Sequence, residues 1–354
     1  MGKIRRISIQ GFKSIKSLTD FELRDLNIVI GANGAGKSNL MQLFEMLFSM
    51  SYGGFQKYVL LNGEANVFCH NGQKTTKEIF ICLDCAEKDT TIRYELRLIP
   101  SADNRLLLQE RRSTESDTTV PLSAAAFESS MFRCHGIGNF PWHIYHFYDT
   151  TRLSDTRMSS LLEDCHYLRS MGENIASFLW RIKSESPWHY HDIVCAIQTA
   201  MPFFEDFDLQ TYQAGPETKV RLAWRQKGCD DVMLPSQLSD GALRFICLTT
   251  ALCQPTPPEL MVFDEPELGL HPEAIEMVAD MIESAATRSQ MMVLTQSPQL
   301  LNHFAPDDII VARRQHGAST YTRLHADDLK IWLEDYSLGE LWQKNVIPGG
   351  SAHE

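Results

Sequence analysis

No run of residues in this chain is long and apolar enough to span a bilayer, which sets aside a membrane-embedded protein. Basic residues are short relative to acidic ones, 33 against 45, giving a formal net charge of −12. A protein that grips nucleic acid unaided usually shows a basic balance or stripe, so any such contact must come from a local patch or a partner chain. Lys3, Arg5, Arg6, Lys13 and Lys16 make one candidate patch, which also reads as the solvated edge of an N-terminal sheet. Cysteine is scattered and odd in number, at nine. That fits reduced thiols in the cytoplasm better than a disulfide framework. The first residues, Met1 to Ile9, alternate charge with β-branched side chains and lack the apolar core of a signal peptide. Sustained heptads, internal repeats and low-complexity tracts are missing too, which excludes a long coiled coil or a solenoid.

What is present is an ordinary globular balance, 44% apolar and 22% charged over 354 residues. Its organising stretch is Ile28-Val29-Ile30-Gly31-Ala32-Asn33-Gly34-Ala35-Gly36-Lys37-Ser38-Asn39. The spacing G-x-x-x-x-G-K-S follows a buried strand and opens the helical pattern Leu40 to Phe48, the context that makes it a phosphate site. The glycines let successive backbone N–H groups turn inward towards a β-phosphate, and the helix N-terminus adds partial positive charge. Asn33 to Asn39 therefore form the expected nucleotide cradle. Lys37 reaches the β- and γ-phosphates, and Ser38 offers its hydroxyl to Mg²⁺.

Around this loop the pattern predicts a β-meander over residues 3–30, turning at Gly11 to Ile15. Alternating segments at Val67–His70, Glu78–Cys85, Thr91–Ile99 and Leu106–Glu110 then predict an antiparallel sheet. Residues 112–140 are rich in Ser and Thr without periodicity and read as a loop excursion. Trp142–Tyr148 reads as a strand and residues 160–200 as helical, with Tyr167, Leu168, Ile175, Phe178, Leu179 and Ile182 on one apolar face. Phe207–Leu209 and Val220–Trp224 return the chain as strands. The expected division is residues 1–110, a first half of the head with the phosphate loop; 111–210, a loop and helical insert; and 211–354, the second half.

In that second half, Glu259 to Phe263 is an apolar run ending in Asp264 and Glu265. An acid at the carboxyl end of a parallel strand lies beside the ligand crevice of an open α/β sheet. Asp264 is placed to hold Mg²⁺, and Glu265 to polarise the water that attacks the γ-phosphate. Upstream, Gln237-Leu238-Ser239-Asp240-Gly241-Ala242 opens a second helix whose N-terminus suits a phosphate. Downstream come Glu267-Leu268-Gly269-Leu270-His271-Pro272 and a strand ending Thr295-Gln296-Ser297-Pro298.

Together these motifs resemble, in kind and order, the RecF/SMC/OLD-like ABC ATPases, down to the opening Ile9-Gln10-Gly11-Phe12-Lys13-Ser14-Ile15. More narrowly, the chain is similar to the small bacterial "predicted ATPase" branch of AAA-family RecF-like heads, including its tail from Trp332 to Trp342. The resemblance covers nearly the whole chain. It implies a P-loop NTPase fold of ABC-ATPase type, α/β, with a mixed sheet, an antiparallel side sheet and a helical insert. It also implies Mg²⁺-dependent ATP hydrolysis in a homodimer, where Ser239, Asp240 and Gly241 address the nucleotide on the opposite copy. The implied setting is DNA repair or anti-phage defence, with DNA or a separate nuclease or effector subunit as partner. A nucleotide-dependent assembly scaffold with slow hydrolysis and no DNA role is the alternative; a transporter subunit is disfavoured by the opening and by Asp240.

The chain also departs from that group. Gln296 stands where a histidine is usual; its amide can hydrogen-bond a γ-phosphate but cannot titrate. No glutamine-bearing loop is identifiable: His146 and Asp149 are candidates that also read as packing or strand-end residues. Asp327-Asp328 and Glu334-Asp335 lack the strand–loop context of a Toprim nuclease site and read as a solvated helix face. Cys82 and Cys85 have zinc half-site spacing but no matching second pair, and Cys134-His135 changes little. His189 and His191 read as packing or surface residues.

Overall fold

The computed structural model describes residues 2–87, 90–114, 117, 120–132, 142–151 and 154–347. The chain opens with an antiparallel pair, β1 (Lys3–Phe12) and β2 (Ile15–Glu22), then enters β3 (Leu26–Ile30). The phosphate-loop motif leads into α1 (Lys37–Ser51), followed by the short helices α2 (Phe55–Leu61) and α3 (Glu64–Phe68). Strands β4 (Ile79–Glu87), β5 (Thr90–Pro100) and β6 (Leu106–Thr114) form a meander that joins β1 and β2 in a five-stranded antiparallel sheet, order β2-β1-β4-β5-β6.

After β7 (Trp142–Tyr145) comes a lobe containing β8 (Ser160–Leu161), α4 (Ile175–Glu185) and α5 (Pro187–Ala200). Its strands β9 (Phe204–Asp208), β10 (Thr211–Ala214), β11 (Glu217–Val220) and β12 (Ala223–Gln226) make one long bent hairpin. Beyond β13 (Val232–Met233), the chain returns through α6 (Asp240–Leu252), β14 (Leu260–Asp264), α7 (Pro272–Ala286) and β15 (Gln290–Thr295). It closes with α8 (Pro298–Leu301), the hairpin β16 (Ile309–Gln315) and β17 (Ala318–Arg323), and the short helices α9 (Ala326–Leu329) and α10 (Leu338–Gln343).

The central sheet has the order β17-β16-β3-β15-β14-β7, parallel throughout except for β17. Its inner strands β3, β15 and β14 are mostly apolar because both faces are covered. Consecutive residues therefore serve different cores. Ile28, Ile30, Met261, Phe263, Met291 and Val293 pack with α6, α7 and the lobe. Val29, Leu260, Val262, Met292 and Leu294 pack with α1 and the antiparallel sheet. Each fully buried side chain of this kind stabilises the fold by roughly 1.5–3 kcal/mol.

Several expectations need correction. Residues 160–200 are not one helical run: α4 starts only at Ile175, after Gly172 at φ 79° and the cap Asn174. Tyr167 and Leu168 precede it, and Leu168 is buried without being helical. Val67 belongs to α3, and only Cys69 makes a single bridge to Phe12. Within the excursion after Glu110, Ser129, Ser130 and Met131 are held in place by the buried Glu110 carboxylate, which accepts from all three. Cys134 and His135 lie outside the described residues.

Candidate nucleotide site

Sheet order alone brings the separate motifs together. β3, β15, β14 and β7 are consecutive neighbours, with Ile30 beside Thr295, Leu294 beside Asp264 and Phe263 beside Tyr145. The residues that follow these strands, Gly31, Gln296, Glu265 and His146, therefore line one carboxyl edge.

The loop from Gly31 to Gly36 is braced from outside itself. Gly36 has φ 115°, and a Cβ there would stand 2.1 Å from Ser319 Oγ, so only glycine fits. Tyr321 Oη donates to Gly36 O at 2.9 Å. Ser14 and Ser319 share a hydroxyl contact of 2.6 Å, and Asn39 Nδ2 donates to Ser14 Oγ at 2.5 Å. The Phe12–Ile15 turn and the last hairpin thus hold the loop between them. Asn33, Gly34 and Ser38 are exposed, while Ala35 and Gly36 are buried.

Lys37 is folded into its own loop, with Nζ donating to Gly31 O at 2.5 Å and Ala32 O at 3.3 Å. Burial pulls its pKa below the ordinary lysine range, opposed by Glu265, then Asp264 and Glu267. Burial also raises the Asp264 carboxyl, with His146 counteracting and Glu265 adding to the effect. Glu265 sits at φ 43°, a strained conformation for a residue with a Cβ, and its N–H donates to Leu294 O at 2.8 Å. Gln296 Nε2 donates to Glu265 Oε1 at 2.6 Å. Glu267 accepts from Thr295 Oγ1 at 2.6 Å, and its pKa is raised by burial.

Ser239, Asp240 and Gly241 stand elsewhere. Ser239 caps α6 by accepting from Ala242 N at 3.1 Å, and both it and Asp240 are exposed. Among the described residues no hydrogen bond joins them to the phosphate loop. Instead, a Cβ on Gly241 would meet Gly269 O at 2.6 Å, so the helix start packs tightly on the loop after Glu265.

The sequence offered His146 as a candidate but not the partners that hold it. His146 Nε2 lies 2.9 Å from Glu45 Oε1, and Tyr58 Oη donates to Glu45 Oε2 at 2.7 Å. Burial works against the charge on Glu45, but the hydrogen bonds from His146 and Tyr58 outweigh it and hold the carboxyl below its ordinary value. A carboxylate inside the apolar run Leu43 to Leu47 was the available signal. His146 Nδ1 is buried without a partner among the described residues. Asp149 instead caps its own turn, accepting from Thr151 N and Oγ1. Two buried arginines were also missed. Arg244 of α6 donates to the carbonyls of Phe147 (2.6 Å), Tyr148 (3.0 Å) and Leu268. Arg157 donates to Thr150 O, Pro235 O, Leu238 O and Asp240 Oδ1.

The donor set fits Mg²⁺ arriving with a nucleotide. The Asp264 carboxylate is partly desolvated and makes no hydrogen bond among the described residues, and Ser38 offers an exposed hydroxyl. Carboxylate and hydroxyl oxygens are the hard ligands that Mg²⁺ takes beside phosphate and water. No cluster of three or more His, Cys, Asp or Glu able to hold a metal occurs among the described residues, so a stand-alone metal centre is not built.

Solved structures with the same fold include SMC heads. One, an SMC head bound to the C-terminal winged-helix domain of ScpA, aligns at TM-score 0.60 and 18% identity over 93% of this chain and 99% of that one. A second, the Pyrococcus furiosus SMC head with an extended coiled coil bound to the ScpA C-terminal domain, gives 0.59 and 17% over 95% and 99%. The Thermotoga maritima SMC head domain gives 0.51 and 14% over 91% and 99%. A search of curated proteins finds no match. The family model for the RecF/RecN/SMC N-terminal domain matches residues 3–320. With the motifs aligned on one sheet edge and that match spanning most of its length, the chain belongs to the RecF/RecN/SMC N-terminal domain family, with the ABC-type phosphate-loop head.

Proposed function

We propose that this protein is a Mg²⁺-dependent ATPase whose two copies share their nucleotide sites. The observation that carries the reading is the Glu265 carboxylate, held by Gln296 in a strained backbone conformation on the edge that also presents Lys37 and Asp264. The backbone from Asn33 to Asn39 binds the phosphates of ATP, and Lys37 leaves its loop carbonyls to meet the γ-phosphate. Ser38 and Asp264 hold Mg²⁺, which supplies charge neutralisation at the phosphates. Glu265 accepts the proton of the attacking water, and Gln296 fixes its orientation. Ser239 and Asp240, exposed at the start of α6, and Gly241 beside them complete the site of a second copy.

The expected test is a pair of substitutions. Lys37→Ala weakens ATP binding as well as turnover. Glu265→Gln keeps ATP binding, loses turnover by about 100-fold or more, and lengthens the life of the ATP-bound dimer in light scattering. Parental turnover in the Glu265→Gln protein removes Glu265 as the base.

The switch would act in DNA repair or anti-phage defence through a separate nuclease or effector. A second reading, a slowly hydrolysing assembly scaffold with no DNA role, is favoured by the state of the basic N-terminal residues. Lys3 and Arg5 pair with Asp25, Arg6 pairs with Asp20, and Lys13 lies over the Phe68 ring. Two carboxylates thus offset part of the charge of that patch. Turnover with and without added DNA decides between the readings: strong stimulation supports the repair or defence role.

A further inference from the structure

Arg157 lies outside every motif, in the lobe between β7 and β8, yet its guanidinium holds the start of the signature. Its side chain is only 6% exposed, whereas its carboxylate partner Asp240 is 72% exposed. A buried cation with so exposed a counter-ion is costly unless its other N–H groups are satisfied. Here they are. Nε donates to Thr150 O at 2.9 Å, Nη1 to Pro235 O at 2.5 Å and Leu238 O at 3.0 Å, and Nη2 to Asp240 Oδ1 at 2.7 Å.

These acceptors belong to two segments. Pro235 to Asp240 form the approach to Ser239 and the first turn of α6. Thr150 lies in the segment that leaves β7 at His146, the residue beside Glu45. Arg244 binds the same loop at Phe147 O and Tyr148 O, and reaches Leu268 O beyond Glu265. The nucleotide edge of one copy is thereby bolted to the surface it presents outward.

We infer that Arg157 is a positioning residue for the signature, setting Ser239 and Gly241 in register with the loop after β7 so that a second copy's nucleotide is met correctly. This rests on the reading of Ser239 and Gly241 as the half-site offered to a second copy. A planar fork with several donors makes this junction; a lysine, a single point charge, does not.

The test is complementation. Each composite site takes the phosphate loop of one copy and the signature of the other. Mixing inactive Ser239→Arg with inactive Lys37→Ala protein first establishes the shared site by partial recovery of turnover. Arg157→Lys alone keeps ATP affinity within about twofold and loses turnover by about 100-fold, the scale for a misplaced reacting group. Mixed with Lys37→Ala it recovers activity; mixed with Ser239→Arg it does not, because both copies then lack a working signature. Recovery with Ser239→Arg, parental turnover in Arg157→Lys, or loss of ATP binding, which would make Arg157 a general fold staple, each overturns the inference. If Ser239→Arg and Lys37→Ala fail to complement although mixed dimers form, the shared site itself falls and this assignment falls with it.

Discussion

Gln296 places an amide where it meets a carboxylate rather than solvent, 2.6 Å from Glu265. An amide has no proton to lose near neutrality, so the hydrogen bond is indifferent to pH there. An imidazole in the same place has a reference pKa near 6.5 and changes charge beside Glu265. Gln296→His is therefore expected to leave ATP binding largely intact. It introduces a pH dependence of turnover between about pH 6 and 7.5 that the parent lacks. Superimposable pH–rate profiles would remove Gln296 from the site. The placement of Lys37, Asp264, Glu265 and Gln296 was legible in the sequence because Lys37 opens the helix after the glycine-rich loop and the other three stand at strand ends. The His146–Glu45 pair was not, since its members are 101 positions apart and each alone resembles a packing residue.

At the scale of elements, the phosphate loop depends on the last hairpin. Tyr321 and Ser319 of β17 close over Gly36, leaving no room for a Cβ. Gly36→Ala is expected to lower the unfolding temperature and abolish ATP binding. Tyr321→Phe removes one hydrogen bond worth about 1 kcal/mol and should weaken ATP several-fold without unfolding the chain. Calorimetry and a nucleotide titration check both; ATP affinity unchanged in Tyr321→Phe would mean the brace does not bear on the loop. Periodicity found the strands and α1 because their apolar patterns match their burial. It failed over residues 160–174, where Leu168 is buried by tertiary packing alone and Gly172 and Asn174 delay the helix. Arg157 was equally hidden, because its acceptors are main-chain carbonyls, which no side-chain pattern announces.

Across the whole molecule, the two cores meet on the central sheet, and at its β7 edge burial traps a titratable ring. His143 is packed against Phe48, Tyr145 and Tyr167, and burial depresses its pKa to about 4. An unfolded chain takes up that proton near pH 6.5, while the folded chain refuses it until about pH 4. Stability from this group is thus complete above pH 6.5 and drains away as pH falls towards 4. At about 1.4 kcal/mol for each tenfold change in proton affinity, the loss is of the order of 3 kcal/mol. His143→Phe should flatten that part of the acid limb in denaturant titrations run at several pH values. An unchanged slope between pH 6.5 and 4 would show that another group sets it.

The order of strands in the central sheet also fixes when the protein can come to life on a ribosome. β3 emerges among the first thirty residues, yet its two neighbours, β15 and β16, are made from positions 290–295 and 309–315. Even the start of β1 waits for Gln290, whose side chain accepts from Ile4 N and donates to Ile4 O. A nascent chain stalled before Gln290 holds the entire glycine-rich motif but neither of the strands that flank β3. By the time either flank of β3 exists, Asp264 and Glu265 have already been translated, so the loop and the carboxylates are expected to reach their places together.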